Sequence, residues 1–412
     1  MTLSLARRAE HFPDRTAVID VSEERLYAPA ETIYEDRVTY DELSALATHT
    51  GRQLSALGLE AGDTLCLVTR NRVASLALFV ACRRLGVTFA PISHWLTPAT
   101  VTRPFDCIDP DLVVFEAAQR DLVRSIPFDR SVTLSELEAA DRESSGSDGH
   151  DRTTRAESDT PQLLLHGDGG HPVVGYSART LEWNCISTAV TWGLSGDDVV
   201  PLVGPLSTPD GFVRVALALL YVGGTLLLDR AFDPGDTLTA IEAERATFLA
   251  GRTSSLTDLA AESRFDDAAG SLERVVVEGS LSADARDRYH DCSISLARAR
   301  GWLECPTALS QSFSTVADSA SVGRPVLDCR ARLVDDGTVL EGDATGRLEL
   351  SGLVVADGYV NTAGTADDEW DEPTTSQRSN ETGTDSRRRF DDDWFHTGER
   401  FRRDGDGRYY PQ

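Results

Sequence analysis

Lysine is absent from the chain: all 40 basic residues among its 412 are arginines, against 67 acidic residues, for a formal charge of −27. Any step that needs a lysine amine is therefore closed to this chain. A shortage of positive charge also excludes nucleic-acid binding by phosphate neutralisation, which needs a basic surface, and docking on anionic lipid through a polybasic patch. The seven cysteines, at 66, 82, 107, 185, 292, 305 and 329, include no CxxC pair. An odd, scattered set predicts buried reduced thiols, neither a disulfide framework nor a zinc site. Long apolar runs are missing as well. The segment Val215–Leu228 is about 14 residues with Gly223-Gly224 inside it, too short for a bilayer span. The start, Met1-Thr2-Leu3-Ser4-Leu5-Ala6-Arg7-Arg8, has no signal-peptide core. These absences predict a cytoplasmic protein with no membrane span and no nucleic-acid partner.

The excess of acid over base has a solvent reading. In molar salt the Debye length shrinks to about 3 Å, so a strongly negative surface repels itself little. A lysine-free, acidic composition resembles that of proteins from salt-in halophiles. The charge is then an adaptation to solvent, not an acidic interaction surface.

At 41% hydrophobic, the chain has enough apolar residues for two or three packed units. Residues 1–141 alternate helical and strand patterns. Tyr40–Leu57 carries Leu43, Leu46, Ala47, Leu54 and Leu57 at helical spacing before Gly58, Thr64–Thr69 is an apolar strand, Ala74–Leu85 is a helix closed by Gly86, and Val87–Ile92 is a buried strand. A polar linker follows at 142–160. The second α/β stretch, 161–320, is predicted to contain the helix Gly211–Tyr221, the strand Thr225–Leu228, the helix Gly235–Arg245 and the strand Leu272–Val277. From 321 to 412 short strands with glycine turns (Cys329–Val334, Gly346–Leu350) predict a small β unit with a polar insert at 367–392, in which Arg387, Arg388 and Arg389 read as a solvated run. The fold class is therefore α/β: two layered subdomains plus a small β-barrel-like one.

Chemistry enters at Leu163-Leu164-Leu165-His166-Gly167-Asp168-Gly169-Gly170-His171-Pro172, an apolar strand running into a glycine-rich turn. Such a turn lets backbone N–H groups close on an anion. It is neither a Walker loop nor GxGxxG, and taken alone it is more simply a tight turn between two elements. His166 and His171 lie five apart, which suits no zinc pair. His290 and Cys292 are more simply a helix end and a buried thiol, and no GxSxG elbow occurs.

The surrounding segments widen the comparison. Val38-Thr39-Tyr40-Asp41-Glu42-Leu43, Leu57-Gly58-Leu59-Glu60-Ala61-Gly62-Asp63, Leu85-Gly86-Val87 through Pro91-Ile92, Tyr221-Val222-Gly223-Gly224-Thr225, Leu272-Glu273-Arg274 through Gly279-Ser280-Leu281, Gly301-Trp302-Leu303-Glu304, Gly323-Arg324-Pro325, Gly358-Tyr359 and Trp394-Phe395-His396-Thr397-Gly398-Glu399 stand in the order of the AMP-forming acyl-CoA synthetases. Over nearly its whole length the chain resembles the large N-terminal domain of this adenylate-forming ligase superfamily, as a divergent, haloarchaeal-like member. The resemblance implies activation of a carboxylic (fatty) acid by ATP through an acyl-adenylate, then transfer to coenzyme A, with Mg²⁺ assisting. It assigns Gly167, Asp168, Gly169 and Gly170 to the phosphate turn and Glu304 to a catalytic, magnesium-binding place. Gly279, Gly301 and Trp302 fall around the adenine, and Glu399 where the family holds the ribose hydroxyls with an aspartate.

Several positions depart from the family pattern. Loop hydroxyls become His166, Asp168 and Gly169, and the loop lysine becomes Val173; Asp168 sets a carboxylate against a triphosphate. Leu303 stands for a threonine, Arg300 for the adenine-stacking tyrosine and Thr208 for the histidine that gates the acyl pocket. The family's small mobile C-terminal domain, which brings a lysine, is expected to be missing after Gln412, so a separate chain carrying it is an expected partner beside the small carboxylic acid. The alternative expectation is a catalytically degenerate relative that binds nucleotide, an acyl ligand or a partner ligase.

Overall fold

The computed structural model describes residues 5–22, 37–139, 161–313, 320–360, 389–391 and 393–412. The predicted polar linker lies outside them, as does most of the predicted insert.

Local signals act as read. Thr39 caps the helix Tyr40–Ala56, with its hydroxyl accepting from the Glu42 N–H while the Glu42 carboxylate accepts from the Thr39 N–H. Tyr40, Leu43, Ala47, Thr50, Gln53 and Leu54 are its buried positions. The helix Val73–Leu85 stops at Gly86, whose φ of 76° is left-handed. The predicted helix at 235–245 is Pro234–Glu244, capped by the Asp233 carboxylate. The predicted helix at 211–221 begins as a wide π-helical turn, Asp210–Leu217, and continues as Ala218–Val222. Five of the seven cysteines are buried, Cys107 and Cys292 are partly so, and all seven are free.

A seven-stranded sheet runs in the order Gly358–Tyr359, Val173–Tyr176, Leu163–His166, Thr88–Ser93, Thr64–Thr69, Leu112–Phe115 and Ser131–Thr133. Its last five strands are parallel, and the largely apolar, buried runs of the four before the edge strand Ser131–Thr133 are what burial on both faces demands. A four-stranded sheet joins Arg37–Thr39 and Thr16–Asp20 to Thr225–Leu228 and Val199–Pro201. A five-stranded sheet sets Phe248–Arg252, Arg274–Glu278 and Ser295–Trp302 in parallel, followed by antiparallel Cys305–Ser310 and Arg324–Pro325. The remaining strands, from Cys329–Asp335 to Tyr409–Pro411, form a six-stranded antiparallel sheet curled into a half-barrel.

The α/β class and the small β unit are as expected. The sheets nevertheless cross the predicted division between 1–141 and 161–320. Leu163 pairs with Phe89, which brings the glycine turn into the first sheet, and Val18 pairs with Leu226, which brings the first strand into the second. A polar stretch shows where the chain leaves the core, whereas strand partners are set by non-local burial. One end of the predicted insert also differs: Arg389–Asp391 is a strand on Trp394–Arg403, where Phe390 packs 5.4 Å from Phe395.

Candidate functional site

The glycine turn joins two antiparallel strands, Leu163–His166 and Val173–Tyr176. Its shape is held from inside: the Gly167 N–H donates to Pro172 O (2.9 Å), the Gly170 N–H to Gly167 O (2.8 Å), and Arg103 Nη1 to Gly169 O (3.1 Å). Gly170 has a φ of 92°, and a Cβ there would lie 3.0 Å from both Arg103 and Pro104, so a glycine is required. Within the described chain the N–H groups of Asp168 and Gly169 donate to nothing, which leaves two adjacent backbone donors for an anion. His166 is buried at 5% exposure; its Nε2 accepts from the Ser93 N–H (3.0 Å) and its Nδ1 donates to Gly167 O (2.7 Å). Burial lowers its pKa, so it is a neutral structural strut. His171 makes only outlying contacts, 3.5 Å to Asp106 and 3.8 Å to Cys107.

Asp168 is 84% exposed, and its Oδ2 lies 3.8 Å from Arg252 Nη1. Arg252 ends the strand Phe248–Arg252 and pairs in register with Glu278, the end of the neighbouring parallel strand. Carboxyl ends of parallel strands are where open α/β sheets bind ligands. Here they border a cavity of about 150 Å³ that reaches from Trp95 at its mouth to Val215 on the π-helical turn.

Two arginines reach that cavity. Arg214 is 4% exposed and fully engaged: Nε donates to Pro306 O (2.8 Å), Nη1 to Glu278 (2.5 Å), and Nη2 to Pro306 O (2.5 Å) and Asp210 (2.9 Å). Arg252 is half-exposed and, among the described residues, hydrogen-bonds only through Nε, to Asp210 (3.0 Å). Burial works against ionisation of Asp210, but Arg214 and Arg252 outweigh it and hold its pKa down. At Glu278 burial prevails over Arg214 and the pKa rises. Neither arginine, nor Asp210 or Glu278, stood out in the sequence. The i,i+4 Asp210–Arg214 pair and the strand-end position of Arg252 were the available signals.

Arg300, Trp302 and Glu399, which the resemblance assigned to the nucleotide, lie together with one another as partners. Arg300 Nη2 donates to both Glu399 oxygens (2.6 and 2.8 Å), Trp302 Nε1 donates to Glu399 Oε1 (2.9 Å), and the Arg300 guanidinium lies 5.1 Å from the indole centroid. Trp302 is 5% exposed and packs edge-on against Phe401, so its indole belongs to the core of the β unit. Gly301 is a spacer: a Cβ there would collide with Pro306 O and Arg214 Nη2. Gly279 follows Glu278, and its carbonyl accepts from Arg298 Nε (2.7 Å). Thr208 accepts from the Gly211 N–H (3.2 Å) at the start of the π-helical turn.

Glu304 lies in the two-residue turn between Ser295–Trp302 and Cys305–Ser310. It is wholly buried, and Tyr359 Oη donates to its Oε1 (2.8 Å). Mg²⁺ takes oxygen ligands in a near-ideal octahedron and keeps several waters. A carboxylate shut away from solvent and held by a tyrosine does not suit that demand. Among the described residues no cluster of three or more His, Cys, Asp or Glu side chains could hold a metal. Among the described residues, no magnesium cradle gathers at Glu304.

Residues 5–360 match the family described as "AMP-binding enzyme". Among curated proteins the chain is 27% identical over 381 residues to feruloyl-CoA synthase of Amycolatopsis sp, and 28% identical over 397 residues to indoleacetate–CoA ligase of Aromatoleum aromaticum. Each match covers 90% of this chain and 72% of the relative. Among solved structures, ATP-bound MatB from Rhodopseudomonas palustris superposes with a TM-score of 0.79 at 23% identity, covering 100% of this chain and 78% of that one. The AMP complex of Bacillus subtilis O-succinylbenzoate coenzyme A synthetase gives 0.77 at 18%, covering 99% and 97%. With a family match running from the first described helix through the strand that backs the glycine turn, the chain belongs to the AMP-binding enzyme family.

Proposed function

We propose that the chain activates a carboxylic acid with ATP and passes the acyl group to the thiol of coenzyme A. In the first half-reaction a carboxylate oxygen bonds to the α-phosphorus and the bond to the leaving pyrophosphate breaks. In the second, the thiol sulfur bonds to the acyl carbon, AMP departs with the electron pair, and the thiol proton passes to solvent. One observation carries this reading: the glycine turn, with two backbone donors unengaged among the described residues, extends Asp168 to 3.8 Å from Arg252 on the rim of a cavity at the ends of two parallel strands, which supports phosphate and acid being bound near one another. The acid-specific names of the curated relatives support it. Because Glu304 is enclosed, no step here is routed through a metal.

The Arg300–Glu399 pair favours a second reading, a relative that binds nucleotide without turning it over. Free cysteines suit the reducing cytosol, where we place the protein. The lysine-free charge of −27 supports a halophilic setting, so molar potassium chloride is the medium for assays. The test is AMP titration by calorimetry, with hydroxylamine trapping of acyl-adenylate from ferulate, indoleacetate and octanoate. Thioester is followed by chromatography, with and without a separately produced small domain of the family. AMP binding with hydroxamate formation is the expected result. AMP binding without hydroxamate from any acid establishes the second reading, and no nucleotide binding at all overturns both.

A further inference from the structure

Resting on the acid-activating reading, we propose that Arg252 binds the carboxylate of the acid substrate and holds it against the glycine turn. The cavity is graded. Its inner wall carries Leu202, Val203, Val215 and Ala250, and its mouth carries Trp95, which is 65% exposed although a large apolar side chain normally seeks cover. An acid with an apolar body fits this wall and leaves its carboxylate at the polar end, where Arg252 stands beside Asp168 of the turn.

Donor accounting selects Arg252 over the other cation of the cavity. Every nitrogen of Arg214 is already engaged by Pro306 O, Asp210 or Glu278. On Arg252 the Asp210 carboxylate holds Nε at 3.0 Å, which fixes the plane of the guanidinium. Its two terminal nitrogens hydrogen-bond nothing among the described residues, since the 3.8 Å approach of Asp168 exceeds hydrogen-bonding range. A planar fork with two free N–H edges matches a carboxylate, whereas a point charge would not orient one. Asp168 is a weak, solvated counter-ion at this fork, and a substrate carboxylate displaces it. The strand places the fork: Gly251 passes close to Val203, where a Cβ would meet Val203 at 2.7 Å, and this delivers the next residue to the rim.

The test uses the full chain in molar potassium chloride, with ferulate and octanoate as probes. Removing a charge-assisted hydrogen bond typically loses one to two decades of affinity. Arg252→Gln should therefore raise the KM, or the calorimetric Kd, for the acid by roughly 10–100-fold, with the KM for ATP unchanged. Arg252→Lys should recover part of that loss. Asp168→Asn should move the other way and tighten the acid, because the fork loses its resident counter-ion. If Arg252→Gln fails to fold, the opposed directions of Arg252→Lys and Asp168→Asn decide the question. An unchanged acid constant in Arg252→Gln overturns the proposal, and so does an ATP constant that rises as much as the acid's, which would assign the fork to phosphate. Wild-type AMP binding separates the two levels. AMP bound normally with the acid unaffected by Arg252→Gln removes the clamp and leaves the family activity standing, whereas a wild-type chain that binds no AMP removes the activity and the clamp together.

Discussion

Glu116 should be among the costliest single carboxylates to remove, through its effect on the wall of the cavity. Its side chain is 2% exposed and accepts from Arg70 Nη2 (2.7 Å), Arg72 Nη2 (2.5 Å), Thr69 Oγ1 (3.2 Å) and the Arg70 N–H (3.2 Å). Burial alone would raise its pKa, but hydrogen bonds and charge from Arg70 and Arg72 prevail and hold it at about 2. Each unit of such a depression is about 1.4 kcal/mol, so the ionised group contributes about 3 kcal/mol at neutral pH. The folded-state pKa lies below the unfolded one. The contribution is therefore complete above the unfolded value near 4.5 and is lost as pH falls from there toward 2.

Glu116→Gln also strands Arg72, which is 6% exposed. Breaking a buried pair in this way typically costs about 3–5 kcal/mol. The loss reaches the site through Asn71, which lies between the two arginines. Its Oδ1 accepts from the Leu206 N–H (2.8 Å) and its Nδ2 donates to Gly204 O (3.1 Å), so it holds the segment that borders the cavity. Urea denaturation followed by tryptophan fluorescence at pH 7 should show Glu116→Gln destabilised by about 3 kcal/mol, with the gap to wild type narrowing below pH 4.5. A gap under about 0.5 kcal/mol at pH 7, the usual range of surface substitutions, or one that stays flat on acidification, would refute the reasoning.

Two further outcomes are expected. Asp229 is pushed up to about 6, chiefly by burial and further by Asp236 and Asp20, so its ionisation disfavours the fold above that pH. Asp229→Asn should raise the thermal midpoint at pH 8 and make no difference at pH 4; equal midpoints at both would count against the shift. Arg300→Gln should loosen Glu399, which Trp302 Nε1 still holds, and tighten AMP. A partly exposed ion pair is worth about 0.2–1 kcal/mol, so the gain is at most about fivefold by calorimetry. Weaker AMP binding in this variant would mean that Arg300 itself holds the nucleotide.

Local signals carried much of the fold. The Thr39–Glu42 box, Gly86 and the apolar periodicities placed the helices Tyr40–Ala56 and Val73–Leu85 almost residue for residue, because caps and burial faces are short-range properties of the chain. Strand partners were not legible. Leu163 on Phe89 and Val18 on Leu226 join residues far apart in sequence, where only the collapsed core selects a neighbour. The same holds for the site. The glycine turn could be read from composition, and so could the lack of lysine, which left arginine as the only cation available. That Arg214 is fully engaged while Arg252 keeps two nitrogens unengaged among the described residues follows from tertiary distances alone. So does the enclosure of Glu304 behind Tyr359, and so does the capture of Glu399 by Arg300. Residue types set which charges the chain carries; which of them stay available to a ligand is decided by packing, because a buried charge must find its partner within the fold.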